Sequence, residues 1–167
     1  MKVLAIDPGY ERLGVAIIEK LPRNKEVLLF SECFKTSAKI PFNDRLLEIG
    51  QEVETVIKKY KPEALAMETL FFNSNQKTAM NVAETRGAIT YEAMKNGLKF
   101  YQYTPLQIKV AVTGSGRADK KQVISMIDRL ITINKEIPHD DEYDAIACGL
   151  TFFASKSYQH LSPHNKS

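Results

Sequence analysis

Cysteine is nearly absent: Cys33 and Cys148 are the two in 167 residues, far apart and without CxxC or Cys/His spacing. That excludes a disulfide framework, a structural zinc site and a dithiol redox motif, and both thiols are expected to be reduced and buried. No apolar run approaches the ~18 residues of a membrane span. The chain opens directly on Lys2-Val3-Leu4-Ala5-Ile6, with neither the apolar stretch of a signal peptide nor the Arg-rich start of a transit peptide. These features predict a cytoplasmic protein with no membrane partner. Net charge is only +3, which permits a polyanionic partner without demanding one. Repeats and low-complexity linkers are also missing. What remains is 44% hydrophobic and 26% charged, the composition of a single globular domain with a full core.

Residues 3–6 form a short, wholly apolar run closed by Asp7-Pro8-Gly9, the pattern of a central strand buried on both faces and ending in a turn. Residues 13–19 and 27–35 read as two further strands joined by a polar turn, giving an antiparallel meander of three. Leu46, Leu47, Ile49, Val53, Val56, Ile57 and Tyr60 recur at the helical period over residues 43–60. Lys61-Pro62 ends that helix, and residues 64–67 read as another buried strand with Glu68 at its exit. Helices are expected at 77–95, 105–112 and 118–131, a strand at 98–103, and a last helix after Pro138. The expectation is an α/β fold: a mixed sheet with three initial antiparallel strands, further strands alternating with helices, and helices covering it. Residues 1–156 constitute the domain, and residues 157–167, polar with little to bury, a flexible C-terminal tail.

Asp141 and Asp144 lie three apart at the start of the last helix and so project from one face. Taken alone, Asp140, Asp141, Glu142 and Asp144 fit either a shared ligand or simple compensation of the helix dipole. Asp7 is open to reading as a turn residue, and Glu68 as a lysine's partner. Their combination carries more, because acids at two strand exits and a helix start converge at one end of a sheet, where open α/β folds place their sites. Two carboxylates about 4 Å apart repel by about 4 kcal/mol at an effective dielectric of about 20. A hard dication relieves that repulsion, and oxygen-only donors favour Mg²⁺ or Mn²⁺ over Zn²⁺. Residues 95–121 are strongly basic: Lys95, Lys99, Lys109, Arg117, Lys120 and Lys121 face one acid, Asp119, a local balance of +5. This is either a solvated lysine face or a phosphate-binding surface in which Gly114 and Gly116 admit close backbone approach. Phe71 and Phe72 fit the core or an exposed stacking position before the polar residues 73–76. The helix at 77–95 offers its apolar positions to the core or to a partner.

Several segments together resemble the RuvC family of Holliday junction resolvases, of the RNase H-like superfamily, over nearly all of residues 1–155. They are Ile6-Asp7-Pro8-Gly9, Met67-Glu68-Thr69-Leu70-Phe71, Arg86-Gly87, Gln107-Ile108-Lys109, residues 113–123 with their basic glycine loop, and Asp141-Glu142-Tyr143-Asp144-Ala145. One segment departs: Leu13-Gly14-Val15-Ala16 stands where that family commonly has Thr-Gly-Tyr-Gly, and Arg12 to Ala16 resembles the related YqgF (RuvX) nucleases. The resemblance implies an RNase H-like fold with helices on both faces of the sheet. It also implies a homodimer that cuts four-way DNA junctions in pairs by metal-dependent hydrolysis, leaving 5′-phosphates in recombination and repair. In that reading Asp7, Glu68, Asp141 and Asp144 are catalytic and hold two Mg²⁺ ions, with Mn²⁺ a substitute and Asp7 bridging. Lys109, Arg117 and Lys120 contact DNA, Phe71, with Phe72 as a local alternative, stacks on an unpaired base, and the RuvAB branch-migration complex is a functional partner. His139 and Asp140 receive no separate role. Alternatives are a YqgF-like nuclease acting on RNA or another DNA structure, a junction-binding scaffold without catalysis, and an actin-like ATPase, which needs two such lobes.

Overall fold

The computed structural model describes residues 1–22, 25–69 and 76–161. Phe71 and Phe72 lie outside them. The elements run β1 (Lys2–Asp7), β2 (Arg12–Leu21), β3 (Lys25–Lys35), α1 (Phe42–Tyr60), β4 (Ala64–Glu68), α2 (Gln76–Lys95), β5 (Lys99–Tyr103), α3 (Pro105–Thr113), α4 (Lys120–Leu130) and α5 (Asp140–Leu161). One five-stranded sheet has the order β3-β2-β1-β4-β5. Strand β1 is antiparallel to β2, and β2 to β3, while β1–β4 and β4–β5 are parallel. The expected mixed sheet and opening meander are present.

Period-two alternation divides the core. Val3, Ala5, Ala16, Ile18, Ala64 and Ala66 point to the side covered by α3, α4 and α5. Leu4, Ile6, Val15, Ile17, Leu65 and Met67 point to the side covered by α1 and α2. Alanines dominate the first side, and α5 approaches closely there. A Cβ on Gly149 would lie 2.8 Å from Ile18 Cδ1 and 3.1 Å from Ala5 Cβ.

Local chemistry sets the helix ends. Lys61 closes α1 in the left-handed region at φ 51°, donating its N–H to the Ile57 carbonyl at 2.8 Å before Pro62 blocks continuation. Thr104 with Gln107, and Asp119 with Gln122, form capping boxes that start α3 and α4. The Asp119 cap explains why α4 begins at Lys120 rather than at the expected 118. Helix α5 continues to Leu161, past residue 157 where the tail was expected to begin. The segment 157–161 contains no Gly or Pro, and the first helix breaker is Pro163. Leu47, expected on the packed face of α1, is exposed. Cys148 is buried, but Cys33 is only partly so because β3 is an edge strand, a correction to the expectation of two buried thiols. No helix among the described residues is long and apolar enough to cross a membrane.

Candidate active site

The strand alternation that sends Val3 and Ala5 toward α5 sends Asp7 the same way, and Ala64 and Ala66 do likewise for Glu68. Ile6 pairs with Met67, so the two acids sit side by side at the parallel strands' C-terminal ends. Because β2 runs antiparallel to β1, its beginning lies at this same end, where Gly14 pairs with Asp7. The first turn of α5 rests on Gly14: a Cβ there would stand 1.9 Å from the Asp141 carbonyl oxygen and 3.2 Å from Asp7 Cβ. Asp141 and Asp144 are thereby brought over the strand-end acids.

The electrostatics record this crowding. Burial, then the charges of Asp144, Glu68 and Asp141, push the Asp7 carboxyl up to about 8, against an opposing pull from Lys120. Glu68 is raised by burial and Asp144, and Asp144 by burial, with Lys120 acting against both shifts. Lys120 Nζ donates to Asp144 Oδ2 and lies 3.6 Å from Asp140 Oδ2. Although burial pulls the Lys120 ammonium down, Asp144, Asp140 and Asp7 hold it above its ordinary value. Lys120, a residue the resemblance gives to DNA, thus sits among the acids in this structure. A cavity of about 250 Å³ there is lined by Glu68, Lys109, Lys120 and Asp144, with Ile108 and Val123 as apolar wall.

A set of supporting contacts went unrecognised in the sequence. Arg12 Nε stands 3.4 Å from Asp141 Oδ2, and the Cys33 thiol lies 3.9 Å from the same oxygen. Arg86, buried in α2, donates to the Glu68 carbonyl and fixes the end of β4. Arg45 steadies the turn after Asp7, donating from Nη2 to the Tyr10 carbonyl at 3.0 Å and stacking on the Tyr10 ring at 4.8 Å. Lys135 pairs with the buried Glu142 and donates to the Ser31 carbonyl at 2.6 Å, tying the approach to α5 onto β3. Arg86 stood in a recognised motif, and Gly14 beneath α5 carried a signal of its own, since a glycine inside an apolar strand marks close backbone approach.

Among the described residues, no three acidic, Cys or His side chains stand in metal-holding geometry. The donor chemistry nevertheless fits a hard dication: four carboxylates supply only oxygen, and Asp7 in its uncompensated state takes up a proton instead. Lys120 compensates Asp144 but leaves Asp7 with a strongly raised affinity for protons.

The sequence model of the family described as "Crossover junction endodeoxyribonuclease RuvC" matches residues 3–152. The chain belongs to the RuvC family. A crossover junction endodeoxyribonuclease RuvC from Finegoldia magna is 40% identical over 162 residues, covering 97% of this chain and 98% of that protein. One from Desulfitobacterium hafniense is 42% identical over 151 residues, covering 90% of each. The RuvC fold is equally clear in three dimensions. T. thermophilus RuvC in complex with a Holliday junction substrate superposes with a TM-score of 0.87 at 32% identity, covering 95% of this chain and 96% of that one. The yeast mitochondrial Holliday junction resolvase Ydc2, at 14% identity and a TM-score of 0.70, shares the fold. The YqgF-like stretch at Arg12 to Ala16 is a local feature within a RuvC chain, and the single sheet of the described residues is one lobe, not the two of an actin-like ATPase. RuvC proteins are metal-dependent nucleases, in keeping with the donor set.

Proposed function

We propose that this chain is a crossover junction endodeoxyribonuclease that resolves four-way DNA junctions by paired, symmetrical phosphodiester hydrolysis in recombination and repair. The observation carrying this reading is the convergence of Asp7, Glu68, Asp141 and Asp144 at one end of the sheet, in a chain of the RuvC family. Two Mg²⁺ ions, or Mn²⁺ in their place, would supply water activation and stabilisation of the leaving 3′-oxygen when held by these four carboxylates. Asp7, at the end of the central strand, would be the central holder among them. Lys109 orients the scissile phosphate from the cavity wall. Lys120, in direct competition with a cation for Asp144, turns to the same phosphate when the acids are occupied, and Arg117 contacts the backbone beyond. Cleavage of the 3′-oxygen bond leaves 5′-phosphate ends. Phe71, with Phe72 beside it, stacks on a base unpaired at the junction centre. The reaction takes place in the cytoplasm, and family membership alone supports RuvAB as a partner.

Matched four-way, branched and linear DNA and RNA substrates, with and without Mg²⁺, test the substrate and the chemistry together. Four-way DNA is expected to be cut only with metal; equal cleavage of linear duplex or RNA contradicts the reading. With Phe71→Ala the junction is expected to bind but open less at its centre, as reported by a fluorescent base analogue, and unchanged opening removes that assignment.

Paired cuts need a two-fold dimer. Helix α2 offers the surface: Met80, Glu84, Gly87, Tyr91 and Met94 recur at four- and three-residue spacing along its exposed side, and Met80, Tyr91 and Met94 are 63%, 70% and 55% exposed. A Cβ on Gly87 would meet nothing within 4 Å, leaving room for a second helix to come close. Tyr91→Glu with Met94→Glu is expected to weaken self-association at least about 30-fold, the equivalent of losing one ~2 kcal/mol hot spot. Sedimentation velocity over a concentration series reads it, and an unchanged dimer excludes α2 as the interface.

A further inference from the structure

The largest cavity described lies beside the acids, not among them. A groove of about 600 Å³ runs along the outer side of α4, with Arg117, Lys121 and Arg129 as its cations and Thr113, Ser115 and Ser125 as its hydroxyls. Lys121, Ser125 and Arg129 recur every four residues, one exposed stripe of the helix, while Val123 and Ile127 on the opposite side enter the core. Among the described residues none of Arg117, Lys121 and Arg129 forms an ion pair. The one acid lining the groove, Asp119, is occupied as the helix cap, accepting from the Gln122 N–H at 2.9 Å. Three unpaired cations beside three hydroxyls are suited to a polyanion with regularly spaced charge.

We propose that this groove is a second phosphate-binding site, which holds the backbone of one duplex arm of the junction as it leaves the acidic centre. The proposal rests on the nuclease reading above and extends it to residues outside the cleavage site. Lys120 and Lys121 are consecutive, yet the first faces the acids and the second the groove, so the two sites are continuous around the start of α4. From Lys121 to Arg129 the helix rises about 12 Å. One strand of a duplex covers that distance in about three to four base pairs. A backbone with its scissile phosphate at the acids and continuing around the start of α4 therefore occupies the groove over about three to four successive nucleotides.

Binding of a synthetic four-way junction, followed by fluorescence anisotropy without divalent metal across a salt series, tests the site. Lys121→Gln with Arg129→Gln removes two exposed cations and is expected to make the slope of log K against log salt shallower by about 2, at about 0.9 per phosphate contact. Lys99→Gln, an exposed lysine at the opposite end of the parallel strands, is expected to leave the slope as it was. Neutral methylphosphonates placed at about three to four successive phosphates of that arm are expected to weaken wild-type binding and to add nothing further in the double variant. An unchanged slope in the double variant, or losses that add in full, overturns the groove assignment. A wild-type chain that neither binds nor cuts four-way DNA overturns the nuclease reading instead, so the two failures are distinguishable.

Discussion

Asp7→Asn is expected to reduce single-turnover cleavage of a four-way junction by on the order of a thousandfold or more, about 4 kcal/mol of transition-state stabilisation. Junction binding should be largely retained. The same substitution has an opposite effect on the metal-free fold. Asp7 is pushed up to about 8 by burial and then by Asp144, Glu68 and Asp141, against an ordinary 3.8. The folded protein therefore holds a proton that the unfolded chain releases across that interval. The stability this contributes is fully present below about pH 4. It is lost as pH rises toward 8, and the raised values of Glu68 and Asp144 act in the same direction. Asparagine carries no charge to repel. Metal-free Asp7→Asn should thus melt at a higher temperature than the wild type at pH 8, with a flatter pH dependence between 4 and 8. Thermal melts in chelator check this, and near-normal cleavage by the variant would remove Asp7 from the mechanism.

The second large effect belongs to a residue with no functional group. Gly14→Ala would place a methyl 1.9 Å from the Asp141 carbonyl oxygen, against backbone that cannot rotate aside. To restore ordinary contact, the start of α5 must withdraw by more than about 1 Å, a misplacement that costs about a hundredfold in a reaction dependent on near-attack geometry. Stability should fall less severely, by about 1–3 kcal/mol, as in other overpacked cores. The expected signature is a folded protein whose kcat falls about a hundredfold at saturating metal. An alanine variant with wild-type kcat would show that the placement of Asp141 over Asp7 is not required.

The acids were legible in the sequence for a simple reason: Asp7 and Glu68 each end an apolar run, and Asp141 and Asp144 share a helix face. Alternation along β1 and β4 then determines that both strand-end acids point toward α5. Less visible were contacts between residues distant in the chain. Arg12 reaches Asp141, and Ser31 receives Lys135, across more than a hundred residues. No local periodicity encodes those pairs. Arg86-Gly87 stood out as a motif, yet its two roles, a clamp on the Glu68 carbonyl and an open helix surface, emerge only when α2 lies beside β4. Lys120 and Lys121 illustrate the same point. Charge counting placed both in one basic segment, whereas the cap at Asp119 sets a rotation that directs one to the acids and the other to the groove.

Four carboxylates from β1, β4 and α5 are expected to become a divalent-metal site. Anomalous scattering from Mn²⁺ soaked into crystals of the protein tests it most directly. Two peaks are expected within coordination distance of Asp7, Glu68, Asp141 and Asp144, with the Lys120 ammonium displaced from Asp144. Crystals at saturating Mn²⁺ that show no peak there, with Lys120 still bound to Asp144, would contradict it.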